Sequence, residues 1–296
     1  MRFGIVAPHL HVIGRKGERL YPAVADFAAV RRLVAVQDHL PMLVDRLLAS
    51  ALCGFARALT GVRALWLGSA PDAGPRVYFA NHRSHGDFVL IWASLPPPLR
   101  RRTRPVAGAD YWLTTPLRRF LINRVFRGVC IDRRPGRSGP NPVEQMGEAL
   151  TARESLILFP EGTSSDGTRV LEFKSTLFSI AVPEEVRDKI TVQPISIAYT
   201  HLDGMPLNRH LRPFFAWYGD MSLIPHLYRM AGIGRIHVTL NFHPSVSPTA
   251  IVPTAIVPTA LASRKALSDY CQKQVVAGLR ASLAGEDAGL APLAPK

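Results

Sequence analysis

Cysteine is scarce in this sequence of 296 residues, and its spacing excludes two kinds of small scaffold. Cys53, Cys130 and Cys271 are odd in number, lie far apart and include no CxxC pair. A disulfide framework needs an even set of cysteines and a zinc ribbon needs close pairs, so neither is indicated. This cysteine usage fits a reducing compartment.

Uninterrupted apolar runs of the roughly 18 residues that a membrane-crossing helix requires are also absent. The best candidate, residues 40–67, is interrupted by Asp45, Arg46 and Arg57. The apolar run at the N-terminus is short and broken by Pro8, which does not fit a signal peptide. We therefore expect neither a transmembrane helix nor export.

Residues 40–67 instead predict an amphipathic helix. Apolar side chains recur three or four positions apart, at Leu43, Leu47, Leu48, Leu52 and Phe55. Such a stripe suits a helix that lies in a membrane interface or against a protein core, and the sequence leaves both open.

Acidic residues are few relative to basic ones. The sequence has 36 Lys and Arg against 22 Asp and Glu, a formal charge of +14, which implies an anionic partner. Eleven of the arginines lie in residues 100–137, together with two acidic residues and with Trp112, Leu117 and Phe120. Basic and aromatic residues together suit an anionic membrane surface, single-stranded nucleic acid or a solvated basic face.

The pattern of short apolar runs predicts an α/β domain. The runs that predict strands are Val77–Phe79, Ser155–Phe159, Ile190–Ala198 and Ile236–Phe242, with helix-length segments between them. We therefore divide the chain into four parts. They are an N-terminal helical segment expected to dock on a membrane (residues 1–74), the α/β domain (75–245), a linker of Pro-Thr-Ala-Ile-Val repeats (246–260), and a C-terminal helix with a frayed tail (261–296).

A first polar cluster, Asn81 to Asp87, follows the predicted strand at Val77–Phe79. On one continuous helix the side chains of His82 and Asp87 would diverge by roughly 140°, so they can meet only across a turn, which Gly86 permits. At a strand-to-helix junction the Asp87 carboxylate can hold one imidazole nitrogen while the other faces a substrate. The pair therefore predicts a general base.

Two other interpretations of this cluster stay open at this point. His82, His85 and Asp87 could bind a metal, but no further His, Cys or Asp cluster of suitable spacing accompanies them, so we expect no metal. A His and Asp pair at a strand end can also be purely structural.

A second cluster, Phe159 to Thr163, again follows a predicted strand. Pro160 and Gly162 bracket Glu161 in a constrained turn, which suits a backbone that approaches a ligand closely. An ordinary β-turn would give the same pattern. Further along, Lys174 could contact a phosphate of a co-substrate or cap an element.

Together the two clusters resemble the glycerolipid acyltransferase family, in particular bacterial 1-acylglycerol-3-phosphate O-acyltransferases. Asn-His followed by Asp at this interval, and Phe-Pro-Glu-Gly-Thr about 75 residues later, are typical of that family. Two further blocks fit in order, Gly128 to Arg133 and Val192 to Ile195, so the resemblance covers residues 75–245. It implies an acyltransferase-type mixed sheet flanked by helices.

The resemblance implies that His82 is the catalytic base and that Asp87 supports it. The acceptor-binding residues that it implies are Arg133, Glu161, Gly162 and Thr163. A planar guanidinium such as that of Arg133 suits a phosphate or a carboxylate. The expected partners are a membrane lipid surface, a lysolipid acceptor, and acyl-CoA or acyl-carrier protein as co-substrate, with no other cofactor and no nucleic acid.

The acceptor and the location follow from the same resemblance. It implies acylation of 1-acylglycerol-3-phosphate to phosphatidic acid in phospholipid biosynthesis, at the cytoplasmic face of the bacterial inner membrane. Many phosphate-using members carry Arg directly after the second cluster, whereas Ser164 follows here. Residues 204–226 are similar to lyso-ornithine lipid acyltransferases, which gives the alternative acceptor. An alternative of another class is a non-catalytic basic protein that binds lipid or nucleic acid, but it leaves residues 159–163 unexplained.

Overall fold

The computed structural model describes residues 27–132, 141–165, 169–208, 215, 232–252, 259–261 and 263–286. The first helix, α1, spans Phe27–Leu59. Leu48, within α1, is the first residue of the compact unit that contains the sheet. Across the described ranges, no helix combines the length and the apolar character needed to cross a membrane.

Strands and helices alternate along the chain after α1. The strands are β1 (Arg63–Trp66), β2 (Arg76–Ala80), β3 (Thr103–Gly108), β4 (Val129–Ile131), β5 (Ser155–Leu158), β6 (Thr191–Leu202), β7 (Met205–Pro206), β8 (Ile236–Phe242), β9 (Ile251–Val252) and β10 (Thr259–Ala260). The helices are α2 (Asp87–Ser94), α3 (Pro97–Arg100), α4 (Ala109–Trp112), α5 (Pro116–Phe120), α6 (Pro142–Thr151), α7 (Glu184–Arg187) and α8 (Arg264–Ala284). A π-helical turn (Leu121–Val125) continues α5, and a 3-10 helix spans Ser175–Ala181.

Eight of the described strands form one mixed sheet in the order β1-β8-β6-β2-β5-β3-β4, with β7 paired to β6. β2 lies at the centre and pairs in parallel with both β5 and β6. β6 pairs antiparallel with β8, which in turn pairs in parallel with β1 at the edge. The predicted mixed α/β fold is therefore confirmed.

Both faces of the sheet are covered, which explains why the central strands β2 and β5 are buried along their whole length. Successive side chains of a strand point to opposite faces. Val77 and Phe79 accordingly belong to one buried cluster, with side chains of α6, the 3-10 helix and α8. Tyr78 and Ala80 belong to the other cluster, with side chains of α2, α4 and the π-helical turn.

The sheet begins earlier along the chain than the sequence predicts. β1 lies before the expected boundary at residue 75 and is nevertheless an edge strand, because it finds its partner β8 far along the chain. Within residues 48–59 the helix packs on the core through Leu48 and Leu52, while Phe55 is exposed. Docking of this segment on a membrane stays a prediction.

The C-terminal third contains a long helix and a region that is described only in part. The helix α8 begins after a Ser263 side-chain cap and ends at Gly285, which has the left-handed conformation. In the repeat, β9 and β10 pair antiparallel, and residues 253–258 between them lie outside the described residues. The predicted frayed tail, residues 287–296, also lies outside them.

Candidate active site

The two polar clusters meet because β2 and β5 are parallel neighbours in the sheet. Phe79 of β2 is in register with Leu158 of β5, so the chain leaves both strands at the same edge. Asn81, directly after β2, fixes the chain there to the neighbouring strand β6. Its side-chain oxygen accepts from the Ile197 N–H at 2.8 Å, and its amide nitrogen donates to the Ile197 carbonyl at 3.1 Å. Carboxyl ends of parallel strands are a common place for a ligand site in α/β proteins.

The structure brings His82 and Asp87 together across the turn between β2 and α2. The distance from His82 Nδ1 to Asp87 Oδ2 is 3.1 Å. The same carboxylate oxygen accepts from the backbone N–H groups of Arg83 and Ser84 at 2.7 and 2.8 Å. Gly86 has φ of −78°, which any residue can adopt, so this turn does not require glycine at that position.

Asp87 is fully buried at the first residue of α2 and is held from its other side by Tyr199. The Tyr199 hydroxyl donates to Asp87 Oδ1 at 2.8 Å. Burial, together with the neighbouring Asp87, raises the pKa of Tyr199 well above its ordinary value, so this hydroxyl stays a donor. Both carboxylate oxygens of Asp87 therefore accept hydrogen bonds from groups that fix their position.

The imidazole of His82 has one nitrogen engaged and one available. With Nδ1 donating to Asp87, Nε2 is the nitrogen that can accept a proton. The ring lies 4.2 Å from the Phe159 ring at an interplanar angle of 23°, and 14% of the side chain is exposed. The ring is therefore fixed by a carboxylate on its edge and an aromatic ring on its face, which is the arrangement a general base requires.

The backbone of His82 is held by the second cluster. Its N–H donates to Glu161 Oε1 at 2.7 Å, and its carbonyl accepts from the Ser165 N–H at 2.9 Å. The other oxygen of Glu161 accepts from the Leu171 N–H at 3.0 Å. Glu161 is 2% exposed, so its carboxylate ties two loops together. Direct contact between Glu161 and an acceptor headgroup stays a prediction that these contacts do not support.

The ionisation of Glu161 is expected to make stability depend on pH. Burial raises its pKa from 4.5 to about 7, although the two N–H bonds act in the opposite direction. A raised carboxyl pKa contributes stability at acidic pH that is lost as the pH rises through about 7. The quantity to compare is the free energy of unfolding of wild type minus that of Glu161→Gln. We expect this difference to become about 2–3 kcal/mol smaller between about pH 5 and pH 8, because only wild type loses stability as Glu161 ionises.

Urea unfolding of both proteins across that range measures the difference. Glu148→Gln, an exposed substitution of the same kind on α6, is the control and should give a nearly constant difference from wild type. A constant difference for Glu161→Gln as well would show that the buried carboxyl titrates near its ordinary pKa.

A cavity of about 300 Å³ opens beside His82. Aromatic and aliphatic side chains form much of its wall, together with a few polar groups. The lining residues that matter for recognition are His82, His85, Trp112, Asp132, Phe159, Gly162 and Lys174. Gly162 has φ of +71°, and a Cβ there would lie 2.6 Å from Lys174 Nζ, so the ammonium lies directly over this glycine.

The predicted acceptor residues are distributed unevenly around the cavity. Gly162 lines it, whereas Thr163 is exposed and is not among its lining residues. Arg133 lies outside the described residues, and its neighbour Asp132 lines the cavity. Sequence reasoning did not single out Tyr199 or Ser165, because nothing in their spacing reveals contacts to residues more than eighty positions away.

The metal interpretation has little support in this geometry. His85 stacks on Tyr111 with ring centroids 4.3 Å apart, and its ring centroid lies 6.2 Å from that of His82. The Asp87 oxygens already accept from backbone and side-chain donors. Over the part of the chain that the structure describes, no group of three His, Cys, Asp or Glu side chains is placed to hold a metal ion.

Comparison with known proteins identifies the family of this chain. The sequence profile of the family described as Acyltransferase matches residues 67–198. Lyso-ornithine lipid O-acyltransferase of Brucella abortus is 32% identical over 236 residues, which cover 77% of this chain and 80% of that protein. Lyso-ornithine lipid O-acyltransferase of Rhizobium meliloti is 34% identical over 196 residues, which cover 64% of this chain and 63% of that protein.

A solved structure supports the fold independently. The crystal structure of the 1-acyl-sn-glycerophosphate acyltransferase PlsC from Thermotoga maritima superposes with a TM-score of 0.51, covering 80% of each chain at 21% identity. The matched residues include His82, Asp87 and Glu161. The chain therefore belongs to the acyltransferase family and is an enzyme that transfers acyl groups.

Proposed function

We propose that this enzyme transfers a fatty acyl chain from a thioester donor to the hydroxyl group of lyso-ornithine lipid. The reaction type is supported by the 3.1 Å contact between His82 and Asp87 at the wall of the cavity. The choice of acceptor is supported by the relatives from Brucella abortus and Rhizobium meliloti, which are both lyso-ornithine lipid O-acyltransferases. This choice replaces 1-acylglycerol-3-phosphate, which the motifs alone favour, as the leading acceptor.

The catalytic step that fits this geometry is base-assisted attack of an alcohol on a thioester. An alcohol is almost un-ionised at neutral pH, so His82 Nε2 takes its proton as the oxygen bonds to the thioester carbonyl carbon. Asp87, bonded to Nδ1, stabilises the imidazolium that forms. The tetrahedral intermediate then expels the thiolate by breaking the C–S bond. The imidazolium returns its proton to the sulfur, which leaves an ester, a free thiol and neutral His82.

The backbone contacts assign Glu161 and Ser165 a positioning role in this proposal. They hold the N–H and the carbonyl of His82, so the imidazole starts from a fixed main chain. Base catalysis depends on placing the nitrogen within hydrogen-bond reach of the reacting hydroxyl. Glu161 then acts through His82, and it does not need to touch the acceptor.

The charges at the cavity fit a headgroup with both signs of charge. Ornithine carries a carboxylate and an ammonium group, whereas glycerol phosphate carries only negative charge. The lining contains the Lys174 ammonium and the Asp132 carboxylate, which could face groups of opposite sign. Ser164, at the position where many phosphate-using members carry Arg, supplies no second cation there.

The donor and the location remain part of the proposal. Acyl-CoA carries phosphate groups, and both it and an acidic acyl-carrier protein would be attracted by a chain with a formal charge of +14. The acceptor is a membrane lipid, so the enzyme would work as a peripheral protein, and a donor made in the cytoplasm would place it at the cytoplasmic face. Electrostatic attraction of this kind weakens as salt is added.

The test is acyl transfer by the purified full-length enzyme, with lyso-ornithine lipid and 1-acylglycerol-3-phosphate offered in the same detergent micelles. Acyl-CoA and acyl-carrier protein are supplied in turn, in the presence of EDTA. We expect kcat/KM for lyso-ornithine lipid to be at least about tenfold higher, because a buried or half-buried charge of the wrong sign costs more than 1.4 kcal/mol. A preference for 1-acylglycerol-3-phosphate would overturn the proposed acceptor while keeping the reaction.

A variant pair examines the role of the cavity charge. Lys174→Met should raise KM for lyso-ornithine lipid with a smaller effect on kcat, because Lys174 would bind the headgroup and not the reacting atoms. Lys273→Met removes an exposed ammonium from α8 and is the matched control, with KM expected to stay at the wild-type value. Equal KM values for all three proteins would remove Lys174 from the acceptor site.

A further inference from the structure

Two large apolar side chains project from one short helix near the cavity. Leu117 is 60% exposed and Phe120 is 38% exposed, and both belong to α5. Residues three positions apart lie on the same side of a helix, so these two side chains form one apolar face. Exposed apolar side chains that cluster on one face, unlike scattered ones, indicate a contact surface.

Arginines surround this apolar face. Arg119 and Arg124 are exposed, and Arg118 is half-buried beside them. Arg119 donates to the Leu113 carbonyl at 2.9 Å, and Arg118 donates to the Thr114 hydroxyl at 3.2 Å. These partners are neutral, so both guanidinium groups keep their positive charge at the surface. We call Leu117, Arg119, Phe120 and Arg124 the α5 face.

A series of side-chain contacts leads from Arg118 of α5 to His82. The Arg118 guanidinium lies over the Tyr111 ring, 4.0 Å from its centroid. On the histidine side, the Tyr111 ring centroid lies 4.3 Å from that of His85, whose ring centroid is 6.2 Å from that of His82. Both histidines line the cavity, so Tyr111 lies between Arg118 of α5 and a side chain of the cavity wall.

We propose that the α5 face is a surface through which this enzyme contacts an anionic phospholipid bilayer. Leu117 and Phe120 would enter the acyl-chain boundary, while Arg119 and Arg124 contact lipid phosphates, as an amphipathic interfacial helix does. This inference rests on the proposed function, because a lysolipid acceptor has to reach the cavity from a membrane. It adds a contact site beyond the N-terminal segment.

The positive charge and the aliphatic side chain of the α5 face favour an anionic bilayer over other binding partners. A second copy of this chain that docked through the same face would bring arginines against arginines, which is unfavourable. Single-stranded nucleic acid would be held by stacking of bases on aromatic side chains, but Leu117, the more exposed apolar residue, cannot stack. An anionic bilayer satisfies the positive charge and the aliphatic side chain together.

Vesicle sedimentation of the full-length enzyme tests the surface. Vesicles of phosphatidylcholine alone are compared with vesicles that also contain phosphatidylglycerol. Leu117→Ser/Phe120→Ser should weaken binding to the anionic vesicles by roughly tenfold. Arg119→Gln/Arg124→Gln should weaken it by about fivefold per arginine at low salt and reduce its salt dependence. Thermal unfolding of each variant checks that it is folded.

Matched controls come from elsewhere in the same unit. Met205→Ser removes an apolar side chain that is 68% exposed, and Lys273→Gln/Arg280→Gln removes two exposed charges from α8. Both should bind vesicles as wild type does. Wild-type binding by the two α5 variants, or equal losses in the controls, would overturn the proposal. Wild-type binding to a single-stranded oligonucleotide but not to anionic vesicles would assign the face to nucleic acid instead.

An activity measurement separates this inference from the proposed function. Leu117→Ser/Phe120→Ser should keep wild-type transfer to an acceptor in detergent micelles and lose it to an acceptor in anionic vesicles. Equal transfer by variant and wild type in both presentations would contradict a role for the α5 face. If wild type transfers to no acceptor in either presentation, the proposed function fails, and the sedimentation result still decides whether this face binds bilayers.

Discussion

Replacement of His82 by alanine is expected to lower kcat for acyl transfer by about 10²–10⁴-fold, the range typical for loss of a general base. The side chain supplies Nε2, and no other part of the residue is needed for that role. Its backbone bonds to Glu161 and Ser165 do not involve the imidazole, so the loop should keep its conformation. Steady-state kinetics, with circular dichroism to confirm folding, measures the effect.

His85→Ala is the matched control for this substitution. His85 lines the same cavity and lies three residues along the chain. Its ring stacks on Tyr111, whereas the Nδ1 atom of His82 contacts Asp87. It should affect kcat much less, through packing. If His85→Ala were the more damaging change, or if His82→Ala retained wild-type kcat, the assignment of the base would be wrong.

Asp87→Asn is expected to lower kcat by a factor on the order of 10³ with little change in KM for the acceptor. Asparagine has nearly the same shape, but it is neutral and cannot balance the imidazolium that forms during attack. If its amide nitrogen faced His82, Nδ1 would have to be the acceptor, and Nε2 would then carry the proton and could not act as the base. A folded variant with normal acceptor KM and low kcat would locate the defect in the chemical step.

Tyr199→Phe distinguishes the contribution of the Asp87 charge to kcat from the contribution of the hydrogen bond that Tyr199 donates to Asp87. It removes the donor on Oδ1 and leaves both the carboxylate and its contact with His82. The loss of kcat should therefore be smaller than in Asp87→Asn, and the pH dependence of kcat should stay closer to that of wild type. A loss as large as that of Asp87→Asn would mean that Tyr199 takes a direct part in the reaction.

Local sequence was sufficient for the His82 and Asp87 pair. The two residues are five positions apart and follow a strand, so their meeting across a turn depends on a short stretch of chain. The strands themselves could also be predicted, because β2, β5, β6 and β8 are apolar runs of the expected length. Strands covered on both faces consist mainly of apolar residues, so they can be recognised as apolar runs in the sequence.

The role of Glu161 could not be predicted in the same way. The motif around it suggests a ligand-binding turn, and its carboxylate is chemically able to bind a headgroup. Which groups it meets depends on the register of β2 against β5, which places the His82 N–H within 2.7 Å. Tyr199 depends similarly on the pairing of β2 with β6. Such contacts depend on strand order, and the order of strands in a sheet cannot be predicted from local sequence periodicity.

The sequence by itself determined the α/β class, the His82 and Asp87 pair, and the reaction type that the family match shows. These features depend on short-range patterns and on motifs that keep their order along the chain. Only the tertiary structure decided that Glu161 and Ser165 hold the His82 backbone, that β1 joins the sheet, and that Leu117 and Phe120 face outward. Each of these depends on which distant segments pack together, because burial and hydrogen-bond partners are properties of the folded chain.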